Sequence, residues 1–142
     1  MPDLTRPRGI AYIHWGNSWQ LRSFQDFAHW IDDLIYIHDL PRVDLSAYRC
    51  VIMPDAMDAA APRSHAAQLN AYRRDGGMLV VFLQGHADWL DVPGLHWTPG
   101  NCRDWLWWTK GERLEIHLAQ PPHPMTASVP LSAMSWHWGG SY

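Results

Sequence analysis

Cysteine is scarce. Cys50 and Cys102 are the two in the chain, and they neither form a C-x-x-C pair nor stand at metal-ligand spacing. Cys50 opens an apolar run and reads as a buried thiol, whereas Cys102 falls in a loop; nothing in the sequence supports a disulfide between them. Charge of one sign is also missing. Eleven basic side chains stand against fourteen acidic ones, with no cluster of either, so the footprint of a nucleic-acid or anionic-membrane binder is absent. Long hydrophobic runs are lacking too. The longest, such as 78–83, fall far short of the roughly 20 apolar residues a membrane helix needs. The first fifteen residues carry no apolar signal core followed by a small-residue cleavage site. The expectation is a cytoplasmic protein with no membrane and no nucleic acid among its partners.

What is present suits a globular chain. Its 142 residues are 47% hydrophobic and 18% charged, with a net charge of −3, and the length fits one domain, 1–142, able to bury a core. The surplus is aromatic: ten tryptophans and nine histidines, many in mixed clusters (His14-Trp15, His29-Trp30, His96-Trp97 and Trp136-His137-Trp138). Tryptophan joins a large apolar surface to one hydrogen-bond donor, which serves a core or a stacking surface equally well. Both readings stay open: a Trp-heavy core, or a cleft partly lined by tryptophan.

Residues 8–14 form a short apolar run that predicts a first strand, closed by the turn residues Trp15-Gly16-Asn17-Ser18. Ser23 followed by Asp26 has the form of a capping box. Phe24, Phe27, Trp30, Ile31 and Leu34 then recur at helical spacing. A second, short strand is expected over 34–38, a loop over 39–46 and a buried strand over 49–54. Pro62 suits the first turn of a helix running to Arg74, with His65, Leu69 and Tyr72 on one stripe, and Asp75-Gly76-Gly77 stops it. Residues 78–83 predict the next strand. The order is β-α-β-β-α-β, and strands apolar on both faces need cover on both. That favours an α/β three-layer sandwich with a mainly parallel sheet. The rest is less regular: a Pro/Gly/Trp-rich loop over 91–101, an aromatic patch over 104–109, an edge or antiparallel strand over 113–118, and a break at 121–124.

In an open parallel sheet, ligands bind beyond the carboxyl ends of the strands. That rule gathers His14, Trp15 and Asn17 after the first strand, Asp55 after the third, and Gln84, Gly85 and His86 after the fourth, with Trp89 close behind. A histidine and an aspartate together can act as a base with its orienting carboxylate, or as two metal ligands. Taken singly, each histidine is more often a loop residue bonded to backbone. Metal motifs such as H-E-x-x-H and paired carboxylates at i, i+4 are missing, so neither a metal nor a cofactor is expected.

Three phrases carry a resemblance: Tyr48-Arg-Cys-Val-Ile-Met-Pro-Asp55, Arg73-Arg-Asp-Gly-Gly77 with the strand after it, and His123-Pro124-Met125-Thr126. Over roughly residues 8–126 the chain resembles the class I glutamine amidotransferase-like superfamily, and within it the ThuA-like (trehalose-utilisation) domains. The resemblance implies a flavodoxin-like α/β fold and a place in carbohydrate metabolism. It also exposes a departure. Active amidotransferases carry a cysteine in a phrase like G-x-C-x-G-H after this strand. Here Phe82-Leu83-Gln84-Gly85-His86 lies on it, and Leu83 falls where the thiol should be. Leucine cannot attack a carbonyl, so no catalytic residue is assigned and glutaminase chemistry is not expected. The ending departs too, being shorter than related domains, which reads as a natural short form or a C-terminal truncation.

The favoured expectation is a non-catalytic amidotransferase-like domain. It would bind a small polar ligand, with a sugar as the leading class, in a pocket floored by Trp15 or Trp89. The second is a structural module, like the trimerisation domain of some β-galactosidases. A homo-oligomer or partner chain would then cover Trp105, Trp107, Trp108, Trp136 and Trp138. The third is a hydrolase or isomerase using His14 or His86 as base with Asp55.

Overall fold

Strand β1 (Arg8–His14) is the centre from which the rest is placed. The computed structural model describes residues 8–55, 58, 60–82, 88–96, 98–99, 109, 121–122, 124–130 and 140–141. The chain divides into two compact units, residues 1–93 and 94–142.

In the first unit β1 leads into helix α1 (Ser18–Phe27), strand β2 (Asp33–Tyr36), and two short 3-10 turns, Ile37–Arg42 and Leu45–Ala47. Strand β3 (Tyr48–Met53), helices α2 (Ala60–Ser64) and α3 (Ala66–Arg74), and strand β4 (Met78–Val81) complete it. The observed order is the predicted β-α-β-β-α-β with its second helix in two pieces, and all pairings in this four-stranded sheet are parallel, in the order β2-β1-β3-β4. Among the described residues of the second unit, strands β5 (Thr98–Pro99) and β6 (Gly140–Ser141) pair antiparallel. The strand expected at 113–118 and the aromatic patch at 104–109 lie outside the described residues, Thr109 apart.

The strand order explains where the helices go. The chain leaves β1 toward β2 on one side and β3 toward β4 on the other, and right-handed crossovers then put α1 and the α2–α3 pair on opposite faces. Alternate residues take opposite faces of each strand. Tyr12 faces α1, its ring 6.4 Å from that of Phe24. Ala11, Ile13, Ile35, Val51 and Met53 face the other way and form the buried core with Leu45, Ala61, Leu69 and Tyr72. The α1 face is thinly covered by comparison: Leu34, Tyr36 and Met78 share the parity of Tyr12 and all remain exposed.

Helix α1 differs from its sequence reading. It begins at Ser18 with Asn17 in the N-cap position, five residues before the capping-box serine. Ser23 is mid-helix, its hydroxyl donating to the Trp19 carbonyl, and Asp26 accepts from Arg22 one turn back. Gly16, at φ +98°, makes the turn that starts the helix early. The helix also stops at Phe27, which leaves Trp30 in a turn, 67% exposed. The second expected helix, 62–74, is two, broken at His65.

Candidate functional site

The β1/β3 boundary is the point where the strand order reverses, and there the connections leaving two neighbouring strands diverge and open a crevice at their carboxyl ends. His14 ends β1, and Trp15, Gly16 and Asn17 form the loop into α1. Asp55 follows β3. The two loops are joined by a side chain that the sequence assigned to no element. Gln20, in the first turn of α1, is fully buried. Its Oε1 accepts from the Trp15 backbone N–H at 2.8 Å, and its Nε2 donates to the Asp55 carbonyl at 2.9 Å. One amide thus satisfies a donor on one loop and an acceptor on the other, fixing their separation. No signal in the sequence marks it, because the pattern placed the helix start after it.

A chain of rings runs along the same edge toward β2. The His14 ring lies 5.4 Å from that of Tyr36, Tyr36 lies 5.1 Å from His38, and His38 lies 4.9 Å from Trp15. Register produces the first contact, since His14 and Tyr36 are paired across β1 and β2. Tyr36 and His38 are exposed, His14 and Trp15 half-buried. Neither Tyr36 nor His38 was expected here. His38 stood at the end of a predicted strand that in fact turns into a 3-10 helix at Ile37.

Burial governs the electrostatics. It pushes the His14 imidazole below its ordinary value, against the nearby Asp39 carboxylate, so the ring is kept neutral. Its Nδ1 is buried and accepts no hydrogen bond. Burial likewise raises the Asp55 carboxyl, and raises the Tyr12 phenol against a hydrogen bond with Ser23. His65, at the head of α3, is pushed down by burial and then by the proximity of His38.

Of the residues expected at the site, His14, Trp15, Asn17 and Asp55 thus lie on the two loops that flank the reversal. Gln84, Gly85 and His86 lie outside the described residues. Trp89 is 6% exposed and packs in the hydrophobic core, where little of its ring is left for a ligand. Its carbonyl accepts from Asn70, which also accepts from the Asp91 N–H. Trp105, Trp107, Trp108, Trp136 and Trp138 are outside the described residues. Among the described residues no group of three or more His, Cys, Asp or Glu side chains could hold a metal ion, and no helix is long and apolar enough to cross a membrane.

A concavity of about 470 Å³ lies at the opposite, amino-terminal edge, lined in part by Leu45, Tyr48, Arg49, Tyr72 and Gly77. Its tyrosine hydroxyls are already committed, Tyr48 donating to Asp33 and Tyr72 to the Tyr48 and Met78 carbonyls. The carboxyl edge, where two of the four rings are exposed and two loops converge, is the better-equipped surface. Compared with protein-family models, with curated proteins and with solved structures, the chain matches none.

Proposed function

We propose that the chain binds a small, polar, uncharged ligand, of the sugar class, at the carboxyl ends of β1 and β3. The observation that carries this reading is Gln20, a fully buried amide spent entirely on holding the Trp15 and Asp55 loops at a set spacing. A binding crevice needs that kind of preorganisation. Trp15 supplies an aromatic face, and Asn17 and Asp55 are polar groups suited to hydroxyls. The strand order β2-β1-β3-β4 fits a flavodoxin-like sheet. With Leu83 at the elbow position, an amidotransferase-like domain of this sequence would be a binder rather than a glutaminase. A His–Asp dyad is less well supported, because His14 Nδ1 lacks the hydrogen bond that would orient the ring.

A second reading, an assembly module, draws on the exposed apolar side chains Phe27, Trp30, Leu34 and Met78. The two separate in one experiment. Ligand-observed saturation-transfer NMR with glucose, galactose and trehalose, on the wild type and on Trp15→Ala and Asp55→Asn, should show saturable binding of at least one sugar that both variants lose. No transfer to any sugar at millimolar concentration, with a dimer or larger species in sedimentation, would replace the binding reading by the assembly one.

A further inference from the structure

We propose that β4 is a self-association edge, at which two copies of this chain pair antiparallel about a two-fold axis through Val80. Such a dimer does not depend on a ligand at the carboxyl ends of β1 and β3. The sequence treats the two ends of the sheet differently. At one end β2 begins at Asp33, beside Asp32, and runs into a turn that holds Pro41. Charge and proline are what natural edge strands carry to refuse another strand. At the other end β4 has neither, since residues 76–85 include no charged side chain and no proline. Among the described residues no strand pairs with its outer side.

Register decides what this edge presents. The Phe82 N–H donates to the Met53 carbonyl, so positions 78, 80 and 82 turn their backbone groups inward to β3. Leu79 and Val81 then point their N–H and C=O groups outward. Their side chains pack against the core, whereas Met78, Val80 and Phe82 share the α1 face with Ile52. The segment after β4 is tied to α3 by Asn70, on the other face of the sheet. The stripe is left open, with Met78 62% and Phe82 59% exposed.

A second copy fits this edge in both backbone and side chains. With the axis at Val80, Leu79 stands opposite the partner's Val81, and their outward groups close reciprocal hydrogen bonds on each side of the axis. Met78 meets the partner's Phe82, a favourable thioether–ring contact, at the non-hydrogen-bonded positions where side chains approach most closely. No like charges face each other, because the strand carries none. The area agrees. At about 150–250 Å² for a large side chain, Met78 and Phe82 together offer about 200–300 Å² of open apolar surface, and half-buried Ile52 and Val80 add to it. A weak interface buries about 600 Å² or less per partner, of which about 56–58% is apolar. The stripe suffices for a concentration-dependent dimer and falls short of an obligate one.

The test is sedimentation velocity on the full chain from about 1 μM to about 1 mM, over which the wild type should pass from monomer to dimer. Met78→Lys, at an exposed position, should raise the dissociation constant about tenfold or more. Val81→Pro should do the same, because it removes an outward N–H and spares the bonds to β3; circular dichroism checks that each variant folds. A second arm reads the register. In a Cys102→Ser background, Val80→Cys stands opposite its own copy at a Cα separation of about 4.5 Å, within disulfide reach, and mild oxidation should link the dimer. Met78→Cys in the same background is more exposed but lies opposite the partner's Phe82, and it should not link. A wild type that stays monomeric throughout overturns the proposal, leaving the edge to another chain's strand or to none. So does open-ended growth, a dimer indifferent to both Met78→Lys and Val81→Pro, or cross-linking at 78 in place of 80.

Discussion

Removing Gln20 tests how much of the molecule depends on the junction between the two loops. In Gln20→Ala the Trp15 N–H and the Asp55 carbonyl both lose their bond to Gln20. An unsatisfied buried polar group costs about 1–3 kcal/mol. Both bonds lie at a partly buried edge that water can reach, so the lower end applies to each, about 2–3 kcal/mol for the two. Four heavy atoms also vanish from a fully buried position, adding about 1 kcal/mol for the unfilled space. The expected total is about 3–4 kcal/mol, a large share of the 5–15 kcal/mol typical of a domain. Equilibrium urea unfolding followed by circular dichroism measures it as a shift in midpoint at unchanged slope.

Gln20→Glu is the sharper variant, because it changes the sign of one bond and leaves the shape alone. One carboxylate oxygen still accepts from the Trp15 N–H, but the other faces the Asp55 carbonyl, two acceptors without a proton between them. Burial of the charge adds to the penalty, about 3 kcal/mol at neutral pH. Protonating the carboxyl restores a donor toward Asp55, so the penalty should shrink to about 1 kcal/mol in mild acid. The variant should therefore regain stability in the range where the wild type loses it. A Gln20→Glu penalty that is the same at neutral and acid pH, or a Gln20→Ala cost below about 1 kcal/mol, would refute the junction as drawn.

Three further outcomes follow from the same geometry. A Cβ at Gly77 would stand 2.2 Å from the Tyr72 ring, so Gly77→Ala must displace a buried ring and should cost about 2–3 kcal/mol; in urea unfolding it should exceed Gly16→Ala, which meets no atom within 4 Å and carries only the strain of its positive φ, and the reverse order would contradict the packing. Asn70 is buried and ties α3 to the segment after β4 through the Trp89 carbonyl and the Asp91 N–H, so Asn70→Ala should cost about 2 kcal/mol and speed hydrogen exchange at the Asp91 amide, an unchanged rate there counting against the tie. Burial lowers the His14 and His65 imidazoles from 6.5, so the unfolded chain takes up protons first, and stability present above 6.5 is lost as pH falls through their folded values. Asp55, raised from 3.8, acts in the opposite sense nearer its own range, since the folded form there binds the proton more readily. In pH-dependent unfolding His14→Phe should flatten the upper limb and Asp55→Asn should remove the low-pH offset; a His14→Phe curve parallel to the wild type would sink this account.

The strands were legible because each is a short, nearly continuous apolar run, which a sheet covered on both faces requires. Their order was not. Nothing in residues 33–36 states that they pair with 11–14 rather than with 78–81; the β2-β1-β3-β4 order comes from tertiary packing. The helix boundaries failed for a local reason, since a serine and an aspartate three apart also fit the middle of a helix when the aspartate has Arg22 to pair with. The expected site residues at the ends of β1 and β3 were reached by a topological rule rather than by a motif. The same rule could not see Gln20, Tyr36 or His38, because it names loops and not the side chains that brace them. Gln20 looks polar and surface-bound until two backbone groups from different loops meet on either side of it. Tyr36 and His38 join the edge only once β2 pairs beside β1 in a register that sets His14 against Tyr36. The part of a site that touches a ligand is often written in strand ends and turns. The part that holds those ends at a working distance is written in which strands become neighbours, and in this chain that is where Gln20 lies.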